Sequence, residues 1–254
     1  AIYRANEQAE GGWRGRRLFR VADKTAESEQ VISFRLVPVD GGAVAPYIAG
    51  QYLGIDLLPE AGGYRAIRQY SLSDAWRPDS YRISVKREAG GVVSQYLHDQ
   101  VNVGDELLVL APAGDLQLPA GRTPLVLISA GVGVTPVMAM LEAEALQVSG
   151  RSLWWLHACA SRAQHSFRER VEALAADLPL NVRTWYENGA DLSGGVTAGR
   201  MELASLVDEL PIADGEFCLC GPVGFMQAQH QALRQLGVDE ARIHYEVFGP
   251  HARF

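Results

Sequence analysis

The apolar positions fall into two regimes along the chain. From residue 13 to about 118 they come in short runs, at 31–39, 51–58, 66–72, 81–86 and 106–111, separated by clusters of Gly, Pro and Asp. The first of these runs ends at Asp40, Gly41 and Gly42, a turn signal. Short strands at this spacing predict a barrel or a sandwich. One segment breaks the rhythm: residues 92–98, from Val92 to His98, predict a single short helix.

From Arg122 the pattern becomes strand–helix alternation. Strands are predicted at 125–130, 153–157, 181–186, 217–220 and 242–246, and helices at 136–147, 167–177, 223–236 and, more briefly, 201–209. Val171, Leu174, Ala175 and Leu178 recur at spacings that place them on one helix face. The alternation predicts a five-stranded parallel sheet covered by helices. Residues 118–121, Leu-Pro-Ala-Gly, read as the linker between the halves, so the predicted domains are 13–118 and 122–254. No repeat and no low-complexity segment interrupts them.

Composition narrows the class. Of 254 residues, 48% are hydrophobic and 21% charged, which excludes a disordered or collagen-like chain. No apolar run approaches the roughly 18 residues that span a bilayer, so no membrane partner is expected. There are 23 basic and 30 acidic residues, a net charge of −7, which counts against nucleic-acid binding. Three cysteines, Cys159, Cys218 and Cys220, cannot build a disulfide framework, and a reducing cytoplasm is expected. The first residues lack a basic stretch followed by an apolar one, so no signal peptide is predicted. The chain opens on Ala1 rather than Met, as expected of a segment from a longer protein.

Five motifs carry candidate chemistry. Gly131, Val132, Gly133, Val134, Thr135 and Pro136 follow an apolar strand and open a helix. Glycines there let a pyrophosphate approach the backbone, and the helix N-terminus offers free N–H groups. The same residues also fit a tight turn that holds no ligand. The full dinucleotide fingerprint is absent: Pro136 replaces its third glycine, and no acid ends the next strand, from Leu156 to Ser161. Cys220, Gly221 and Pro222 form a second strand end on the same sheet. Cys220 there fits a small buried hydrophobe as well as a ligand contact. Cys218 and Cys220 alternate faces, which argues against a metal site.

In the first half, Arg68, Gln69, Tyr70 and Ser71 offer a phosphate clamp, a planar ring and a hydroxyl. Gly91, Val92, Val93 and Ser94 open the one helix there, a second phosphate-ready N-terminus. Near the C-terminus, Tyr245, Glu246, Val247, Phe248, Gly249 and Pro250 place an aromatic after the last strand.

The order of these motifs across two such halves resembles the ferredoxin–NADP reductase family. Gly11, Gly12 and Trp13, the run 39–43, Pro46 and Tyr47, the run 50–54, and 245–251 narrow the resemblance to the reductase part of flavohaemoglobins. It implies an antiparallel FAD-binding barrel followed by a nicotinamide-binding α/β domain. It also implies that residues 1–12 are the remnant of a preceding globin helix or linker. Haem would then belong to that globin, which the sequence does not include.

The resemblance further implies roles. Tyr52 and Arg68 to Ser71 would hold FAD, with Tyr70 on the flavin ring and Ser71 near its reactive nitrogen. Gly91 to Ser94 would hold the pyrophosphate. Gly131 to Pro136 would bind the nicotinamide dinucleotide, with Cys220, Gly221 and Pro222 beside the nicotinamide. Phe248 would cover the other flavin face, within the segment from Val247 to Pro250. Glu246 would tune transfer to haem, making Ser71, Cys220 and Glu246 the catalytic candidates. Val247 departs from relatives that carry cysteine there. No metal ligand set is expected.

The function this implies is electron transfer from NADH through FAD to an acceptor, the haem of a flavohaemoglobin in nitric oxide dioxygenation. The alternatives are a stand-alone reductase feeding an iron–sulfur protein, oxygenase or small acceptor, and a non-catalytic nucleotide-binding module. NADH is expected to be used better than NADPH. After the third strand of the α/β half the chain carries Glu187, which repels a 2′-phosphate, and Arg162 is the one candidate to attract it.

Overall fold

Why the first half forms a closed sheet rather than a stack is visible in its edge strands. The computed structural model describes residues 9–57, 66–147, 149–189 and 195–247. The chain divides into two compact units, Ala1–Gln117 and Leu118–Phe254.

Unit 1 holds β1 (Arg16–Ala26), β2 (Val31–Pro38), β3 (Tyr52–Leu57), β4 (Ala66–Ser71), β5 (Tyr81–Lys86), α1 (Val92–Asp99) and β6 (Glu106–Ala113). The strands form one sheet in the order β4-β3-β6-β1-β2-β5, with every pairing antiparallel. An antiparallel bridge between Leu72 and Ile83 joins the outer strands and closes the sheet into a barrel. Helix α1 packs against β4 and β5, across that seam. Its Val93 and Leu97 enter the core with Phe19, Phe34, Leu36, Leu53, Ile55 and Val109.

The sequence pattern does not predict β1. In it only Phe19 and Val21 are buried, and its polar residues mask the alternation. Its ion pairs explain the polarity. Arg17 grips Asp40 with two hydrogen bonds (3.0 and 2.6 Å), donates to the Ala43 carbonyl (2.8 Å) and lies over the Trp13 ring. Arg16 pairs with Asp56, whose carboxylate is fully buried. The Trp13 indole donates to the Val109 carbonyl (3.1 Å).

Unit 2 holds β7 (Leu125–Ala130), α2 (Val134–Gln147), β8 (Leu153–Cys159), α3 (Arg168–Asp177), β9 (Leu180–Tyr186), β10 (Val196–Ala198), β11 (Glu216–Cys220), α4 (Val223–Gln235) and β12 (Ile243–Tyr245). All pairings are parallel, in the order β10-β9-β8-β7-β11-β12. The sheet therefore has six strands, not the five predicted. The extra one, β10, is three residues long, with no buried residue, too short to leave a hydrophobic signature. The helix predicted over 201–209 is only a 3-10 turn at Leu203–Leu206, whose Leu203 and Leu206 are buried.

The strand order has a functional consequence. The chain builds β7, β8 and β9 outward in one direction, then returns to the other side of β7 for β11. That reversal leaves a crevice between the C-terminal ends of β7 and β11, where ligands of open parallel sheets bind. One sheet face, with Val126, Ile128, Leu156, Phe217 and Leu219, packs on Leu203, Leu206 and Leu233. Helix α2 packs against β7 and β11 and is buried almost throughout its length.

Candidate flavin and nicotinamide sites

In unit 1 the β3–β4 register sets Tyr52 opposite Ser71, Leu53 opposite Tyr70 and Ile55 opposite Arg68. Alternation then puts Arg68 and Tyr70 on one face of β4, and Gln69 and Ser71 on the other. Arg68 and Gln69 are exposed, and Tyr52 is half-buried. The Arg68 guanidinium donates to the Ile67 carbonyl (2.9 Å). Tyr70 packs against the barrel core. Burial pushes its phenol up to about 12, with Arg68 working against the shift, so Tyr70 stays a neutral donor at neutral pH. Ser71 is buried, and its hydroxyl has no hydrogen-bond partner among the described residues.

Helix α1 begins without a side-chain cap and without an acid in its first turn. Its N-terminal amides and dipole are left for an anion. Gly90 supplies a positive φ of 74°, and Gly91 supplies closeness. A Cβ on Gly91 would lie 2.5 Å from the Ser94 hydroxyl and 3.0 Å from the Glu88 side chain. Ser94 fixes this turn: its hydroxyl accepts from the Glu88 amide (3.2 Å) and donates to the Gly91 carbonyl (3.1 Å). Ser94 and Val93 are buried, while Val92 is 76% exposed. Because α1 packs on β4, the Arg68–Ser71 and Gly91–Ser94 segments belong to adjoining elements of the barrel. An uncapped helix start, a side-chain-free approach and an exposed guanidinium fit a pyrophosphate; a buried hydroxyl with no internal partner fits a ring acceptor.

In unit 2 the turn after β7 is a 3-10 turn at Gly131–Gly133 leading into α2. Gly131 has φ 53° with open space where a Cβ would stand. Gly133 is the opposite case: a Cβ there would lie 2.3 Å from the Cys220 carbonyl oxygen. Ser129 and Cys220 are register partners, so the two strand ends lie side by side. Val132 is half-buried, while Gly133, Val134, Thr135 and Pro136 are buried, and Thr135 donates to the Val132 carbonyl (3.0 Å). Pro136 sits in the first helical turn, where its missing N–H leaves no bond unmade.

After β11, Gly221 packs closely on Ala130 and Phe225, and Pro222 starts α4, again with no side-chain cap and no acid in the first turn. Two open helix starts thus follow the two strands that flank the crevice, a fit to a dinucleotide.

The Cys220 side chain is wholly buried. Burial first, then the charge of Glu246, push its thiol far up, against the Gly221 amide, so it is a neutral thiol at physiological pH. Glu246 and Val247 are half-buried. Phe248, Gly249 and Pro250 lie outside the described residues. No group of three or more metal-ligating side chains occurs among the described residues.

Two buried polar assemblies escape a reading of the sequence. Arg151 and Glu144 form an ion pair with both side chains out of solvent. Ser129 and His157 share a hydrogen bond (2.9 Å), His157 stacks on His165 with ring centroids 5.0 Å apart, and His165 bonds the Tyr186 hydroxyl (2.8 Å). These residues come from three neighbouring strands and a loop, and no local spacing joins them.

Comparison with known proteins agrees with this geometry. Residues 18–118 match the oxidoreductase FAD-binding domain and residues 127–231 the oxidoreductase NAD-binding domain. The chain is thus an FAD- and NAD-binding oxidoreductase module with the ferredoxin–NADP reductase fold. It is 49% identical to the flavohem-like FAD/NAD-binding domain of nitric oxide dioxygenase from Vibrio cholerae, covering 93% of this chain and 100% of that one with a TM-score of 0.88.

The flavohemoglobin of Malassezia yamatoensis, solved with FAD and heme, is 29% identical, covering 97% of this chain and 63% of that one with a TM-score of 0.86. The flavohemoprotein of Vibrio cholerae is 50% identical over all of this chain, and that of Bordetella pertussis 47% over 98% of it. The chain spans 64% of the length of these flavohemoproteins. It belongs to the flavohemoprotein reductase family.

Proposed function

We propose that this chain takes electrons from NADH onto FAD and passes them to the haem of a globin domain, in support of nitric oxide dioxygenation. The observation that carries the reading is the pair of open helix starts at the β7–β11 crevice, brought together by the contact of Gly133 with the Cys220 backbone. The globin acceptor and the dioxygenation come from the flavohemoprotein relatives, of which this chain spans only part.

When bound, nicotinamide and flavin supply the redox chemistry, and the protein supplies orientation and electrostatics. In this reading the free amides at Val92 and Val93, with the Arg68 guanidinium, bind the FAD pyrophosphate. Tyr52, Gln69 and Tyr70 flank the flavin, and Tyr70 remains a neutral surface for it. Ser71 offers a hydroxyl donor where negative charge develops. Gly131 to Pro136, with Gly221 and Pro222, hold the dinucleotide. The buried Cys220 shapes the floor beside the nicotinamide as a neutral thiol. Glu246, close enough to act on Cys220, tunes the transfer. Val247 leads into Phe248, Gly249 and Pro250, the segment assigned to cover the flavin.

A cytoplasmic location is part of the same proposal. No helix among the described residues is long and apolar enough to cross a membrane, and the three cysteines are free.

The test mixes the FAD-loaded chain with NADH and a separately purified flavohemoprotein globin domain in the ferric state. Haem reduction that requires both NADH and this chain supports the reading. Electron delivery to ferricyanide or a quinone but not to haem would point instead to a stand-alone reductase.

A further inference from the structure

Helix α1 is held differently at its two ends. Its start carries no side-chain cap and no acid in the first turn. Its other end is gripped from three strands. Lys24 of β1 donates from Nζ to the carbonyls of His98 (2.8 Å) and Val101 (2.6 Å). His98 in turn donates from Nε2 to the Val85 carbonyl of β5 (2.8 Å). Phe34 of β2, the register partner of Lys24, holds its ring centre 5.6 Å from Nζ. The last carbonyls of a helix have no partner within it, and a cation placed there also meets the negative end of the helix dipole.

Lysine is the rare choice in this chain. Of the 23 basic residues only Lys24 and Lys86 are lysines. Lys86 makes an ordinary surface pair with Glu88 (3.0 Å). Lys24 is half-buried and pairs with no carboxylate among the described residues. Its charge is directed at two carbonyls and an aromatic face. An ammonium is a compact charge with three donors, whereas a guanidinium is a planar fork suited to carboxylates and phosphates. Two carbonyls and a ring reached from one point call for the ammonium.

With α1 read as the pyrophosphate cradle of the proposed function, we propose that Lys24 is a positioning residue for FAD. It touches no part of the cofactor. It fixes the C-terminal end of α1 so that the amides at the other end, at Val92 and Val93, stay aimed at the phosphates. It also sets a positive charge behind a helix of 8 residues, about 12 Å long. The negative end of the dipole is thereby offset, and its positive end is left to the anion.

The experiment titrates the flavin-free chain with FAD by calorimetry. Lys24→Met keeps the apolar stem beside Phe34 and removes the charge and its donors, and it should raise the FAD dissociation constant about tenfold or more. Lys24→Arg, which returns the charge, should bind FAD more tightly than Lys24→Met. A role in packing alone would rank the two the other way, since methionine fits the space of the lysine stem better than arginine does. Lys86→Met should stay within about twofold of wild type. Gly91→Ala, whose Cβ would lie 2.5 Å from the Ser94 hydroxyl, checks the cradle itself and should also weaken FAD. If Gly91→Ala weakens FAD while Lys24→Met stays within about threefold, or binds as tightly as Lys24→Arg, the role of Lys24 is overturned and the cradle stands. If neither variant weakens FAD, the cradle falls and the role of Lys24 with it. Should Lys24→Met fail to fold by circular dichroism, the uncharged Lys24→Gln takes its place in the same comparison.

Discussion

A Cβ on Gly133 would stand 2.3 Å from the carbonyl oxygen of Cys220, a distance no side chain can tolerate. The contact joins the turn after β7 to the end of β11, and both atoms are backbone or bound rigidly to it. Nothing flexible can move aside. The glycine is required there by the closeness of two strand ends, and that closeness defines the crevice.

Gly133→Ala should therefore destabilise the chain by about 1–3 kcal/mol, the range for forcing extra volume into a packed site. It should also weaken NADH binding, because the turn must shift. Gly131→Ala is the control: its φ of 53° strains alanine by about 1–2 kcal/mol, but the Cβ enters open space. Urea unfolding and NADH titration of both variants check this. Loss of NADH affinity should be larger for Gly133→Ala, and equal affinities in the two variants would contradict the role of the contact.

How much of this was legible in the sequence depended on how local each signal was. Helix α1 stands out because Val93 and Leu97 sit at helical spacing inside a strand-rich region, after a pair of glycines. The turns at Gly131–Pro136 and Cys220–Pro222 were readable because strand, glycine and helix follow each other directly. Strand β1 was not readable, because its partners Asp40, Asp56 and Glu106 are distant in sequence and turn its arginines into structural residues. The same holds for His157: in the sequence it is one histidine in an apolar strand, and only the fold brings Ser129 and His165 to it. The sequence left Cys220 open between ligand contact and buried hydrophobe, and its zero exposure puts the thiol itself inside the sheet.

The histidine pair makes stability depend on pH. Burial holds both imidazoles neutral: His157 well below its ordinary value, with His165 adding to the effect, and His165 at about 4, with Arg168 and Arg162 adding to it. In the unfolded chain they titrate near 6.5. Between 6.5 and about 4 the unfolded state binds protons that the folded state refuses, so the stabilisation is complete above 6.5 and is lost as pH falls through that window. For His165 the loss is on the order of 3 kcal/mol. Asp40 and Asp74 act in the same direction only below the ordinary carboxylate value of 3.8, Asp74 because its arginine neighbours outweigh its burial. Urea midpoints should fall between pH 7 and pH 4.5, and His165→Asn should flatten that fall. A midpoint constant over this range would contradict the neutral buried pair.

Nucleotide preference follows from the end of β9. Glu187 is exposed there, 3.7 Å from the Arg200 guanidinium, which is itself 89% exposed. A surface pair of this kind contributes about 0–1 kcal/mol and leaves the carboxylate charge in place. NADH is accordingly expected to give the higher kcat/KM with ferricyanide as acceptor. Glu187→Gln should raise the NADPH value several-fold and leave the NADH value nearly unchanged. A wild-type ratio in favour of NADPH would refute the assignment.

The central claim is that this chain by itself holds FAD and reduces it with NADH, with Ser71 assisting as charge builds on the flavin. Anaerobic stopped-flow mixing of the purified chain with NADH tests it most directly. The account predicts one non-covalent FAD per chain, rapid bleaching of its absorbance, and a Ser71→Ala variant that keeps FAD but is slower by up to about a hundredfold, the loss of one preorganised donor. Release of FMN or no flavin on denaturation, or a Ser71→Ala rate within about twofold of wild type on that same scale, would contradict it.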